Sequence, residues 1–161
     1  MIKDFFQGLL FLAISLFIQL FWSMKLGIKG VIPDFVLITI IFLSFQKNPI
    51  FGLLMGFCGG VLMYSSTGFG YAGLMISRIL IGVLTSFTTK SFSKDNVLIM
   101  IISVLWLTPL SYLVMMFANP RPLLLGIEMM LYGTVLNLIL MLILIGIRFL
   151  FFKDRKNYYL D

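Results

Sequence analysis

Six long apolar stretches, separated by short polar breaks, fill almost the whole chain of 161 residues. They cover about 5–24, 32–46, 50–64, 70–88, 96–117 and 122–147. Because a helix needs about 20 residues to cross the hydrocarbon core of a bilayer, most of these stretches are long enough. The second and third are short, and we expect them to borrow flanking residues or to thin the bilayer locally. The pattern predicts an all-α, polytopic membrane protein with six transmembrane helices in one bundle.

The first stretch superficially resembles a secretory signal peptide. Lys3 precedes an apolar run from Phe5 to Trp22. That run is longer than the ~7–15 apolar residues of a signal peptide, and no small-x-small cleavage site follows it. We therefore interpret it as a retained first helix of a single integral membrane domain, 1–161, which ends in the basic tail 148–161.

Prolines mark the starts of several predicted helices. Pro33, Pro49 and Pro122 lie where first helical turns would begin, and proline fits there because that N–H has no helical partner. Asp34, in a first turn, would meet the positive end of a helix dipole. Pro109 instead interrupts the fifth stretch, and its missing hydrogen bond predicts a kink.

Composition narrows the possible chemistry. Apolar residues make up 61% of the chain and charged residues 11%, whereas a soluble domain is about one quarter charged. With no histidine and one cysteine, Cys58, the chain has no internal disulfide, no Cys/His metal site and no Ser–His catalytic pair. We expect no cofactor, no metal and no catalysis. The net charge of +6 flanks apolar stretches, so it indicates topology and contact with the lipid bilayer rather than nucleic-acid binding.

Lysine and arginine placement predicts the orientation. With six helices, both ends of the chain lie on one side of the membrane. The cations of that side are Lys3, Lys47, Lys90, Lys94, Arg148, Lys153, Arg155 and Lys156, and those of the other side are Lys25, Lys29 and Arg121. The richer side is expected to be cytoplasmic, which places both termini in the cytoplasm.

Two charged residues fall well inside predicted helices. Arg78 lies near mid-membrane, where a lipid-facing cation costs roughly 2.5–3.5 kcal/mol, so it should face the bundle interior. Glu128, early in the sixth helix, is the acid placed well inside a stretch. At ~1.5 Å per residue the two side chains lie at similar depth. We expect an intramembrane ion pair, either as a ligand or proton site or as a structural pair that sets helix packing.

Glycines dominate one face of the third helix. Gly52, Gly56 and Gly60 form two overlapping GxxxG steps, with Gly59 beside them. Such a face lets two helix backbones approach closely in lipid, either within the bundle or against another protein. Asn137, in the middle of the sixth helix, is expected to hydrogen-bond another helix.

A glycine-rich segment matches a nucleotide-binding pattern only in letters. Residues 68–73 read G-x-G-x-x-G. The dinucleotide fingerprint needs a preceding strand and an acid about 20 residues later in a βαβ unit. Here the segment joins two membrane helices, so a glycine-rich turn is the preferred interpretation. An intramembrane enzyme is also disfavoured, because the predicted helices contain no pair of acids.

The order of motifs along the chain resembles MreD, the rod shape-determining membrane protein family. The motifs are Pro33-Asp34, Pro49, Gly52-x3-Gly56-Phe57-x-Gly59-Gly60, Thr67-Gly68, Leu80-Ile81-Gly82, Asn137-Leu138-Ile139-Leu140 and the basic end from Arg148. The resemblance covers about 30–90 well and about 130–156 loosely. One departure is that family members tend to carry an acid near the end of the third helix, where this chain has Met63-Tyr64.

The resemblance implies a non-enzymatic scaffold in the bacterial inner membrane. MreD-like proteins work with the membrane-anchored MreC, the actin-like MreB and the wall-synthesis machinery that elongates the cell. The alternative is a substrate-binding subunit of an energy-coupling factor vitamin transporter, which has a similar architecture. Those subunits dock through alanine-x3-alanine on the first helix, whereas here Ala13 is followed by Phe17. Our hypothesis is that the third-helix glycine face and the outer edge near Pro33 and Asp34 meet an MreC-like partner.

Overall fold

In this computed structural model the described residues form six α-helices and no β-strand. The described residues are 2–26, 28, 30–45, 48–67, 72–91, 96–118, 120 and 122–152. The helices are α1 (Ile2–Leu26), α2 (Phe35–Phe45), α3 (Pro49–Thr67), α4 (Ala72–Ser91), α5 (Val97–Ala118) and α6 (Leu123–Phe152). The all-α prediction is confirmed, and each apolar stretch contains one helix.

Four of these helices, α1, α3, α5 and α6, are long and apolar enough to cross a membrane. The apolar parts of the other two are shorter, Phe35–Phe45 and Ala72–Thr88. At ~1.5 Å per residue, the 11 residues of α2 extend only about 16 Å, roughly half of a hydrocarbon core about 30 Å thick. The second predicted span is therefore a short helix. The glycine-rich turn at 68–70, the tail from 153 and the side chains of most counted cations lie outside the described residues.

The short helix α2 lies at the centre of the fold and contacts each of the other five helices. Eight of its 11 residues are buried, as expected for a helix that is apolar all round. One of its sides packs against α4, α5 and α6 through a core of Leu37, Ile38, Ile41, Phe45, Ile81, Met100, Val104, Leu107, Met141 and Ile145. The other side packs against α1 and α3 through Leu12, Val36, Ile40, Phe51, Met55 and Met63.

Helix α3 packs most closely against α4, and the glycine face makes this possible. A Cβ at Gly52 would collide with the carbonyl oxygen of Gly82, and one at Gly56 would collide with the backbone of Arg78. A Cβ at Gly60 would lie 2.8 Å from the Cα of Met75. This corrects the hypothesis of a partner on the glycine face, because α4 already occupies it.

Gly59 faces a different neighbour. A Cβ at this position would lie 2.6 Å from the Cδ1 of Ile40 in α2. The glycines of α3 therefore serve two contacts inside the bundle, one with α4 and one with the central helix. Close packing of this kind replaces hydrophobic burial as the source of helix association in lipid.

Local sequence explains the helix starts. Pro49 is the first residue of α3, and the Oδ1 of Asn48 accepts a hydrogen bond of 2.9 Å from the N–H of Phe51, which caps that helix. Pro122 immediately precedes α6. Pro109 lies inside α5, which continues on both sides of it.

Candidate functional site

The start of α2 lies inside the bundle. The chain leaves α1, turns at Gly30 with a φ of 77° and returns along an extended segment in which Val31 and Pro33 are buried. Two backbone hydrogen bonds of 2.9 Å join Ile28 and Val31 and close the turn. The left-handed φ suits glycine, which has no Cβ to clash there. The segment places Asp34 immediately before the first turn of α2.

Side chains from α1, from α6 and from Asp34 itself accept the backbone N–H groups at this helix start. The Oδ1 of Asp34 accepts from the N–H of Leu37 at 2.8 Å, so Asp34 caps α2. The Oε1 of Gln19, from α1, accepts from the N–H of Val36 at 3.2 Å. The Oδ1 of Asn137, from α6, accepts from the N–H of Asp34 at 2.8 Å. Since unpaired backbone donors are costly away from water, these contacts make a helix start possible there.

Arg78 of α4 is the largest fully buried side chain of the described residues, with 0% exposure. Its Nη2 donates to the Oδ2 of Asp34, whose side chain is 15% exposed, and the two form an ion pair. Its Nη1 donates to the Oγ of Ser111 in α5 at 2.7 Å and lies 3.5 Å from the Oγ of Ser77. Its Nε has no hydrogen-bond partner in the described part of the chain.

The ion pair expected between Arg78 and Glu128 is not formed. Asp34 takes the place of Glu128, whose side chain is exposed on α6. The sequence predicts Asp34 at the outer edge, because a second stretch that crosses the whole membrane would begin there. Since α2 is only 11 residues long, its N-terminus can reach the depth of Arg78, about 9 Å below the start of α4. The hypothesis of a partner at the edge near Pro33 and Asp34 is corrected too, because both residues face into the bundle.

Asn137 connects α6 to two other elements at the same centre. Its Oδ1 accepts from the backbone N–H of Asp34, and its Nδ2 lies 3.5 Å from the Oγ1 of Thr108 in α5. Asn137 is fully buried. The amide therefore holds α5 and α6 against the start of α2.

Several polar contacts around this centre were not anticipated from the sequence. Gln19, Ser111 and Thr108 are buried and contact the centre, and on α1 the Oγ of Ser15 lies 2.6 Å from the Oγ1 of Thr39 in α2. A glutamine in an apolar stretch is a usable signal, because a buried amide in lipid needs a partner. Serine and threonine give a weaker signal, since each can bond its own helix backbone, as Ser15 also does to Phe11.

The polar contacts at this centre hold the helices together. Asp34 and Arg78 neutralise each other, and most polar atoms around them are bonded to neighbouring helices. Within the described residues, no group of three His, Cys, Asp or Glu side chains is placed to hold a metal ion. We define the polar hub as Gln19, Asp34, Arg78, Ser111 and Asn137, which together join α1, α2, α4, α5 and α6.

The fold and the polar hub indicate a class, the helical membrane proteins, since four of the helices are long and apolar enough to cross a bilayer. Comparison of the chain with protein-family models, with curated proteins and with solved structures finds no match.

Proposed function

We propose that this protein is a non-enzymatic scaffold of the bacterial cell-elongation machinery, similar in role to MreD, and that it binds an MreC-like membrane-anchored partner. One observation carries the proposal. Residues from separate motifs of the resemblance contact each other: Asp34 with Asn137, and Gly52 with Gly82. These residues thus hold four elements of one helix framework together, which supports an architectural role for the motifs rather than a catalytic pocket.

The small extent of the connections supports a scaffold that works within the membrane. The shortest connection between successive helices is 46–48, with 3 residues, and the longest is 27–34, with 8 residues. Such short connections leave no room for a soluble domain between helices. A partner would therefore meet mainly helix faces, and a partner with its own transmembrane segment fits this surface best.

The proposal includes the finer topology. All six helices lie in the inner membrane as one bundle, with both termini in the cytoplasm and α2 as a short helix enclosed by the others. The excess of lysine and arginine on the side of the termini supports this orientation. The burial of α2 supports its enclosure by the other helices, because its N-terminal N–H groups are bonded to protein side chains rather than exposed to lipid.

The decisive experiment is affinity purification of the tagged chain from crosslinked native membranes, with depletion of the protein in parallel. We expect recovery of an MreC-like protein, and rounding of rod-shaped cells as the protein is depleted. Recovery of an ATPase module with unchanged cell shape would instead favour the vitamin transporter subunit. Recovery of neither partner, with normal shape, would contradict both.

A further inference from the structure

Glu128 occupies an unusual place on the outside of the bundle. It lies five residues after Leu123, where α6 begins, and its side chain is exposed. It has no ion-pair partner in the described part of the chain. Ionisable residues in transmembrane helices almost always face the bundle interior or a partner, because a charge facing lipid is costly. An acid on the outside therefore indicates a surface that another molecule covers.

The surroundings of Glu128 are apolar on both sides along the helix. Towards the end of the hairpin formed by α5 and α6 lie Phe117, Leu123 and Leu124, which are 87%, 70% and 74% exposed, the highest values among the large apolar side chains described. Towards the other end, Leu131 and Val135 are also exposed. Because apolar surface continues past Glu128 in both directions, its carboxylate does not simply mark the boundary between lipid and water.

The exposed positions follow the spacing of a helix-pairing seam. Steps of four, three, four and seven residues separate Leu124, Glu128, Leu131, Val135 and Leu142, which are all exposed. We call these five residues the α6 face. Alternating steps of three and four are the spacing at which two helices pack side by side with a shallow crossing angle. Helix α6 packs on one side only, mainly against α5 and α2, which leaves this face open.

We propose that the α6 face binds a single transmembrane helix of a partner protein that carries a lysine or arginine at the depth of Glu128. The negative charge of Glu128 determines the kind of partner that fits this face. The face has one charge, and it is negative, so a cation on the partner would neutralise it in a low-dielectric setting where such pairs are strongest. A second copy in the same orientation, related by a two-fold axis along the membrane normal, would instead bring two like charges together, which disfavours self-association. The inference rests on the proposed scaffold function and gives that function a docking site.

A defined probe helix tests the proposal without knowledge of the natural partner. The probe is a polyleucine transmembrane helix of about 20 residues with one arginine about five residues from its end, labelled for energy transfer. A matched helix carries serine in place of the arginine. Both are reconstituted with the labelled full chain in phosphatidylcholine vesicles. We expect the arginine helix to associate more tightly than the serine helix, by about threefold to about fifteenfold, the range for polar contacts between membrane helices.

Variants of Glu128 assign the effect to this residue. Glu128→Gln should abolish the preference for the arginine helix, and Glu128→Lys should transfer the preference to a helix with aspartate. Both substitutions lie on the outside of the bundle, so the melting temperature should stay within a few degrees of the native value. Equal association of the arginine and serine helices, or an equal preference with Glu128→Gln, would overturn the proposal.

A lipid amine is the competing occupant, and the same assay separates it. The arginine preference should persist when phosphatidylethanolamine replaces part of the phosphatidylcholine. Its disappearance would identify the lipid headgroup as the ligand of Glu128 and overturn the docking site. The scaffold proposal fails separately. If Glu128→Gln still recovers an MreC-like protein in full, only the α6 face is wrong, whereas absence of that protein with the native chain contradicts the scaffold itself.

Discussion

Arg78 and Asp34, 44 positions apart, form an ion pair that ties α4 to the residue immediately before α2. The pair lies where the chain has re-entered the bundle, so both charges are removed from water together. Burying two charges is costly, and the cost is offset only when the remaining polar atoms are also bonded. Ser111 and the cap of α2 supply most of these bonds, and the Nε of Arg78 is the atom of the pair left without a partner among the described residues. The pair therefore fixes where the central helix begins.

The close contact of α3 with α4 makes a glycine substitution informative. Gly56→Leu should destabilise the protein by at least about 2–3 kcal/mol, because the new side chain would meet the backbone of Arg78 and Ile79. Thermal unfolding in detergent and the steady-state level in cells measure the loss. Gly146→Leu is the matched control, because a Cβ at Gly146 meets nothing within 4 Å. A stable Gly56→Leu protein that has lost only its partner would show that the glycine face is free.

The amide of Asn137 supports the start of α2 from another helix. Asn137→Leu should cost about 1–3 kcal/mol, because it leaves the buried N–H of Asp34 without an acceptor. Chemical denaturation in mixed detergent micelles can measure this cost. Thr134→Val is the control on the same helix, since the bond that Thr134 makes among the described residues goes to the carbonyl of Met130 in its own helix. Equal losses for the two variants would mean that the bond to Asp34 contributes nothing.

Membrane extraction tests the class of protein. The chain should stay in the pellet after washing of native membranes with high salt or with alkaline carbonate, and should be released by detergent. The reason is that the exposed surface of α1, α3, α5 and α6 is mostly apolar, so that it requires lipid or detergent around it. Release without detergent would contradict an integral membrane protein.

Hydropathy was sufficient to predict six helices, because each apolar run is bounded by prolines, glycines or charges. It was not sufficient to predict which helix is enclosed. All six stretches are apolar, and lipid and protein interior favour the same side chains. The apolar stretch 32–46 predicts a full span, whereas α2 spans only Phe35–Phe45, and this difference moves Asp34 from the edge to the centre. With Asp34 at the edge, Glu128 is the acid nearest to Arg78 in depth, which is why the sequence predicts the wrong partner.

The sequence predicts that the glycine face of α3 makes a close helix contact, but it does not identify the second helix. Spacing at every fourth residue shows that two backbones approach, while the identity of the second helix depends on the arrangement of the whole bundle. That neighbour, Gly82 of α4, is itself a glycine, and the mutual fit is visible only once the two helices are placed together.

A double-mutant cycle on Asp34 and Arg78 tests the central claim most directly. Asp34→Asn and Arg78→Gln should each lower the free energy of unfolding in detergent by about 3–5 kcal/mol, because each leaves an uncompensated buried charge. The double variant should lose less than the sum, with a coupling energy between about 0.5 and 3 kcal/mol. A parallel cycle of Arg78→Gln with Glu128→Gln should be additive within about 0.5 kcal/mol. Additive losses for Asp34 and Arg78, or coupling of Arg78 to Glu128, would contradict the polar hub.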